Sequence, residues 1–145
     1  MKRSSRSYGL EQGKRASSTR ISGERGRKVL IVDDNFEICK TLKELLEAYG
    51  YQAAYVTGGK AAIAEYETWQ PDVVLLDRNM PEMDGMTCAK KIMDRDPGAK
   101  IVIISGYDEI GPSGIDDQGR MLIKGYLTKP IDMNEVNNLL IGLLQ

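Results

Sequence analysis

Apolar residues along this chain fall into two alternating patterns, short unbroken runs and longer stretches with helical spacing. Lys28-Val29-Leu30-Ile31-Val32 is an unbroken run closed by Asp33-Asp34, as expected of a strand buried on both faces. Ile38, Leu42, Leu45, Leu46 and Tyr49 then recur as a helical stripe, with Asp34 or Asn35 as cap and Gly50 as a left-handed stop. Residues 51–56 read as a second strand. Thr57 is the expected cap of a helix carrying Ala61, Ala62, Ile63 and Tyr66, which ends near Trp69 and Pro71. Residues 72–76 form a third strand ending in Asp77. A helix from about Asp84 then carries Met86, Ala89, Ile92 and Met93 as far as Pro97-Gly98. Residues 100–104 are a fourth strand ending at Ser105, and 125–128 a fifth ending at Lys129-Pro130. Residues 132–144 close the chain as an amphipathic helix.

Strands that alternate with helices imply right-handed crossovers, and hence an α/β domain with a doubly wound parallel sheet of five strands covered on both faces. In such sheets function gathers at the carboxyl ends of the strands. Asp33 and Asp34, Asp77, Ser105 and Lys129 each stand at such an end, so they are predicted to converge on one edge. Between Ser105 and Tyr126 the pattern is broken by Gly106, Gly111, Pro112, Gly114, Gly119 and Gly125. An interior Gly costs a helix about 1 kcal/mol and Pro about 3. The helix expected there is therefore short, late-starting (about 116–123) or mobile.

Length and composition narrow the chemistry. A chain of 145 residues holds one ordinary domain. It has no histidine and only two cysteines, Cys39 and Cys88, which excludes histidine catalysis, histidine metal sites, structural zinc and a disulfide framework. Both cysteines read as small buried hydrophobes. The net charge of −1 conceals a division. Residues 1–28 carry nine Lys or Arg against Glu11 and Glu24, a net +7 that leaves −8 on the rest. Residues 1–27 are thus expected to be a disordered basic tail and 28–145 the folded domain. The acidic domain argues against a nucleic-acid partner. No apolar run reaches the roughly 20 residues of a membrane span, and the tail lacks a signal-peptide core, so a cytoplasmic protein is expected.

Three converging carboxylates repel one another and raise at least one pKa unless a cation joins them. Magnesium suits them, because it takes one or two carboxylates and keeps waters for a phosphate ligand. Lys129 adds a positive charge and Ser105 a hydroxyl that can donate to a phosphoryl oxygen, which together are equipment for phosphoryl transfer. A carboxylate can itself be the nucleophile, and Asp77, alone at its strand end, is the best candidate.

With these residues in place, 29–144 resembles the receiver domain of two-component response regulators, especially stand-alone chemotaxis-type receivers. The resemblance rests on Val-Asp-Asp-Asn at 32–35, Leu-Leu-Asp-Arg-Asn-Met-Pro-Glu-Met-Asp-Gly at 75–85, Ile-Ile-Ser-Gly at 103–106 and Gly-Tyr-Leu-Thr-Lys-Pro at 125–130. It implies the flavodoxin-like strand order 2-1-3-4-5. Asp77 then corresponds to the phosphoacceptor, and Asp34 to a direct Mg²⁺ ligand. Asp33 would bind the ion mainly through water, and the backbone carbonyl of Asn79 would be a further ligand. Ser105 and Tyr126 correspond to the switch pair, Lys129 to the lysine that meets the phosphoryl group, and Lys129-Pro130 to a cis bond. Tyr107, beside the pocket, is expected to shield the acyl phosphate and slow its hydrolysis.

The implied function is a phosphorylation-dependent signalling switch rather than a turnover enzyme. The phosphoryl donor would be a histidine kinase or a histidine phosphotransfer protein. The downstream partner would dock on residues 106–130 and the C-terminal helix face. A relay passing phosphate to a second histidine uses the same site. A Mg²⁺-dependent phosphohydrolase of the haloacid dehalogenase type would need an acid two residues after Asp77, where Asn79 stands. The chain ends at Gln145 just after the last helix, so a receiver without an output domain is expected.

Overall fold

Five short strands form the centre of the domain: β1 (Lys28–Val32), β2 (Gln52–Val56), β3 (Val73–Asp77), β4 (Ile101–Ser105) and β5 (Gly125–Thr128). All neighbours pair in parallel in the order β2-β1-β3-β4-β5, the doubly wound order expected from the sequence. Helices α1 (Phe36–Ala48), α2 (Gly59–Trp69) and α3 (Gly85–Arg95) follow the first three strands, and α4 (Met133–Leu144) follows β5. The computed structural model describes residues 26–106 and 123–145. The expected helix over 116–123 lies outside these residues except for Ile123, which is buried but not helical. Residues 1–25 of the expected tail also lie outside them.

Side chains alternate across a strand, so each apolar run supplies two cores. Val29 and Ile31, Leu75, and Val102 and Ile104 face one way, against Leu42 and Leu46 of α1 and Leu140 and Leu144 of α4. Leu30 and Val32, Leu76, and Ile101 and Ile103 face the other, against Ala62 and Tyr66 of α2 and Cys88 and Ile92 of α3. Every residue of β3 and β4 is buried, which is why those runs carry no polar interruption before Asp77 and Ser105. Both cysteines are fully buried. Burial, assisted at Cys39 by the Asp33 charge, pushes each thiol up to about 11.

Local chemistry fixes the helix ends. The Asn35 side chain accepts from the Ile38 amide at 3.1 Å, and Gly50 takes φ +100 just after α1. Asp84 caps α3 by accepting from the Thr87 amide at 2.9 Å, and Asp132 accepts from the Asn134 amide at 2.9 Å at the start of α4. Two expectations are corrected. The cap of α2 is Gly58, with no side-chain hydrogen bond, rather than Thr57. On α1, Leu45 and Tyr49 are exposed at 39% and 42%, and Cys39 takes the inward position between Leu42 and Leu46. The buried stripe is narrower than the apolar one because only one flank of α1 meets the sheet. Trp69 packs at the amino end of β1, its ring 5.4 Å from the Lys28 ammonium and far from the carboxyl ends of the strands.

Candidate functional site

The carboxyl ends of β1 and β3 bring together three carboxylates. Asp33, Asp34 and Asp77 each present an oxygen within 4.8 Å of the others, Asp33 and Asp77 buried and Asp34 exposed. Backbone contacts hold the two buried ones. Asp33 accepts from the Asn35 amide at 2.8 Å, and its own carbonyl receives the Cys39 thiol at 3.2 Å. Asp77 accepts from the Asn79 amide at 3.4 Å. Gly85 closes over this turn, its amide donating to the Arg78 carbonyl at 2.7 Å. A Cβ on Gly85 would lie 2.3 Å from the Asp77 carbonyl oxygen, so only glycine fits there.

Lys129 reaches into the cluster from beyond β5, 3.4 Å from Asp33 and 3.5 Å from Asp77. Its amide donates to the Ser105 carbonyl at 2.8 Å, and the Lys129-Pro130 bond is cis. Burial opposes the ammonium charge, but the two carboxylates outweigh it and raise the Lys129 pKa. Asp77 is pushed up from 3.8 to about 6, first by burial and then by Asp33, with Lys129 and the Asn79 amide pulling the other way. One lysine therefore does not neutralise the cluster. Three hard oxygen donors, one of them open to solvent, fit a magnesium ion. Beside Asp34 a cleft of about 410 Å³ opens between the turn before α2 and the loop before α3, lined by Thr57, Lys60, Met80 and Glu82.

Ser105 is fully buried, and its Oγ has no hydrogen-bond partner among the described residues. Tyr126 packs with its ring on the α2/α3 side of the sheet and its hydroxyl already buried. Tyr107 lies outside the described residues. The structure thus brings Asp33, Asp34, Asp77 and Lys129 into contact, with Asn79 touching Asp77 and Ser105 bonded to Lys129 through backbone.

Comparison with known protein families matches residues 29–141 to the response regulator receiver domain. The chain belongs to that family. Chemotaxis protein CheY of Thermotoga maritima is 34% identical to the receiver over 112 residues, covering 77% of this chain and 92% of that protein. A protein-glutamate methylesterase/protein-glutamine glutaminase of Rhodospirillum rubrum is 45% identical over 85 residues, 58% of this chain but only 23% of that larger protein. The response regulator protein TrrA of Thermotoga maritima, solved in complex with Mg(2+)-BeF, superimposes with a TM-score of 0.72 at 26% identity, covering 81% of the receiver and 99% of that chain. Among the described residues of the receiver, no helix is long and apolar enough to cross a membrane.

Sequence reasoning passed over Arg78. Its Nη1 is buried without a hydrogen-bond partner among the described residues. A basic residue directly after the last buried position of β3 was the available signal, masked by its place inside a motif read for Asp77 and Asn79.

Proposed function

We propose that this receiver is a phosphoacceptor switch, with Asp77 the residue that carries the phosphoryl group. The observation that supports it is the buried Asp77 carboxylate, contacted by Lys129 and sharing an oxygen cluster with Asp33 and Asp34. An Asp77 carboxylate oxygen attacks the phosphorus of a phosphohistidine on a donor protein. The new O–P bond replaces the N–P bond, and the imidazole leaves after taking a proton from solvent. Asp33, Asp34, Asp77 and the Asn79 carbonyl would hold Mg²⁺, which when bound would supply positive charge against the transferring phosphoryl group. Lys129 supplies a second positive charge. Ser105 donates its hydroxyl hydrogen to a phosphoryl oxygen. The reading assigns the chain to phosphotransfer signalling rather than to turnover of a small substrate.

The donor, a histidine kinase or histidine phosphotransfer protein, covers the apolar groove of about 390 Å³ beside the site. Ile38, Leu42 and Leu45 of α1 line it together with Ile131, Met133 and Lys129 itself. The groove adjoins the site, because Lys129 belongs to both. The downstream partner reads the face formed by residues 106–130 and the C-terminal helix.

Acetyl phosphate with Mg²⁺ tests the reading. The wild-type chain should gain a phosphoryl group by intact mass, and the gain should disappear with EDTA. Phosphorylation of Asp77→Asn under the same conditions would refute it.

A further inference from the structure

Arg78 sits next to Ser105 by backbone register. Asp77 pairs with Ile104, and the Arg78 amide donates to the Ile104 carbonyl at 2.8 Å, so the β3/β4 ladder runs one step further and sets Arg78 opposite Ser105. Side-chain alternation places both on the same side of the sheet. Leu76 and Ile103, two positions earlier, belong to the core under α2 and α3. Each of the two neighbours holds a buried polar atom with no hydrogen-bond partner among the described residues, Nη1 of Arg78 and Oγ of Ser105. Leaving a buried polar group unmet is costly, and more so for a charged one, so such groups ask for an explanation.

Their chemistry is complementary. A guanidinium nitrogen only donates, whereas a hydroxyl donates one hydrogen and accepts on its lone pairs. We infer that Arg78 is a positioning residue of the phosphoryl switch, donating to Ser105 Oγ when that hydroxyl turns its hydrogen to a phosphoryl oxygen on Asp77. The chain from guanidinium to hydroxyl to phosphoryl oxygen carries a charge at both ends, and each bond polarises the next. Without the phosphoryl group the hydroxyl has no anionic acceptor to complete the chain. Arg78 acts through Ser105 and not on Asp77 directly, since alternation turns Asp77 with Leu75 toward the α1/α4 side of the sheet and Arg78 with Leu76 toward the other. The inference rests on the phosphoacceptor reading above and adds a residue to it.

Beryllofluoride with Mg²⁺, the combination held by TrrA, is the probe. Its binding to the full chain is measured by calorimetry, and the response of residues 100–106 by hydrogen exchange. Arg78→Met, which keeps the aliphatic stem, should weaken beryllofluoride binding roughly tenfold, the scale of one charge-assisted hydrogen bond. Arg78→Lys should recover part of the loss, while the affinity for Mg²⁺ alone and the unliganded melting temperature stay at the wild-type level. In a Ser105→Ala background, Arg78→Met should cost nothing further, because the intermediary is gone. Wild-type affinity in Arg78→Met, or the same loss with and without Ser105, overturns the inference and leaves the phosphoacceptor reading standing. Failure of the wild-type chain to bind the probe overturns both.

Discussion

Replacing Asp77 should stabilise the protein, and by an amount that depends on pH. Asp77 is buried, with Asp33 beside it, and its pKa is pushed from 3.8 to about 6. Between those values the folded protein keeps a proton on Asp77 that the unfolded chain has lost. Stability is therefore fully present below about pH 4 and falls as pH rises through about 6, the opposite of a salt-bridged carboxylate. The interval between the two values converts to at most about 3 kcal/mol. Asp77→Asn has nearly the shape of the protonated acid and never ionises. In EDTA it should melt with the wild type near pH 4 and exceed it by roughly 10 °C above pH 7, taking about 4 °C per kcal/mol for a domain of this size. Thermal unfolding followed by circular dichroism at half-unit steps of pH checks this. A difference that is flat with pH, or that grows toward acid, would refute the electrostatic reading of the site.

The same logic governs the metal. Saturating Mg²⁺ should abolish the fall of wild-type melting temperature between pH 4.5 and 7, because a bound divalent cation favours the ionised carboxylate; this is read in parallel scans with Mg²⁺ and EDTA. Gly85→Ala should cost more than about 3 kcal/mol in urea unfolding, since its Cβ would lie 2.3 Å from the Asp77 carbonyl oxygen and 2.8 Å from the Arg78 Cα. Ser105→Ala removes a hydroxyl without a hydrogen-bond partner among the described residues, so unliganded stability should hold or rise by up to about 1 kcal/mol in the same assay, while beryllofluoride binding weakens.

Much of this architecture is legible in the sequence because unbroken apolar runs such as Val29–Val32 and Val73–Leu76 have few solutions other than buried parallel strands. The acids at their ends are legible for the same reason, since a charge terminating a buried run must stand at the sheet edge. What escaped is set by tertiary geometry. Leu45 and Tyr49 fit the helical stripe, yet both are exposed, Leu45 on the wall of a groove, and spacing does not say how wide a flank the sheet covers. Thr57 is the better cap by residue type, but Gly58 takes the position, and the close approach of Met83 to Gly59 leaves little room at this helix start. Arg78 was invisible as a site residue because its meaning depends on the register of β3 against β4, which no local pattern encodes.

The alternation that builds two cores also divides the polar residues between them. Asp33 and Asp77 continue the series of Ile31 and Leu75 on the α1/α4 side, while Arg78, Ser105 and Tyr126 continue the series on the α2/α3 side. The three central strands are a wall of buried side chains, and the two polar groups meet only over its carboxyl rim. The carboxylates and the polar residues facing the other core therefore start on opposite sides of the sheet and communicate only across its rim. A substitution within either core shifts its own half of the site first and reaches the other half only through that rim.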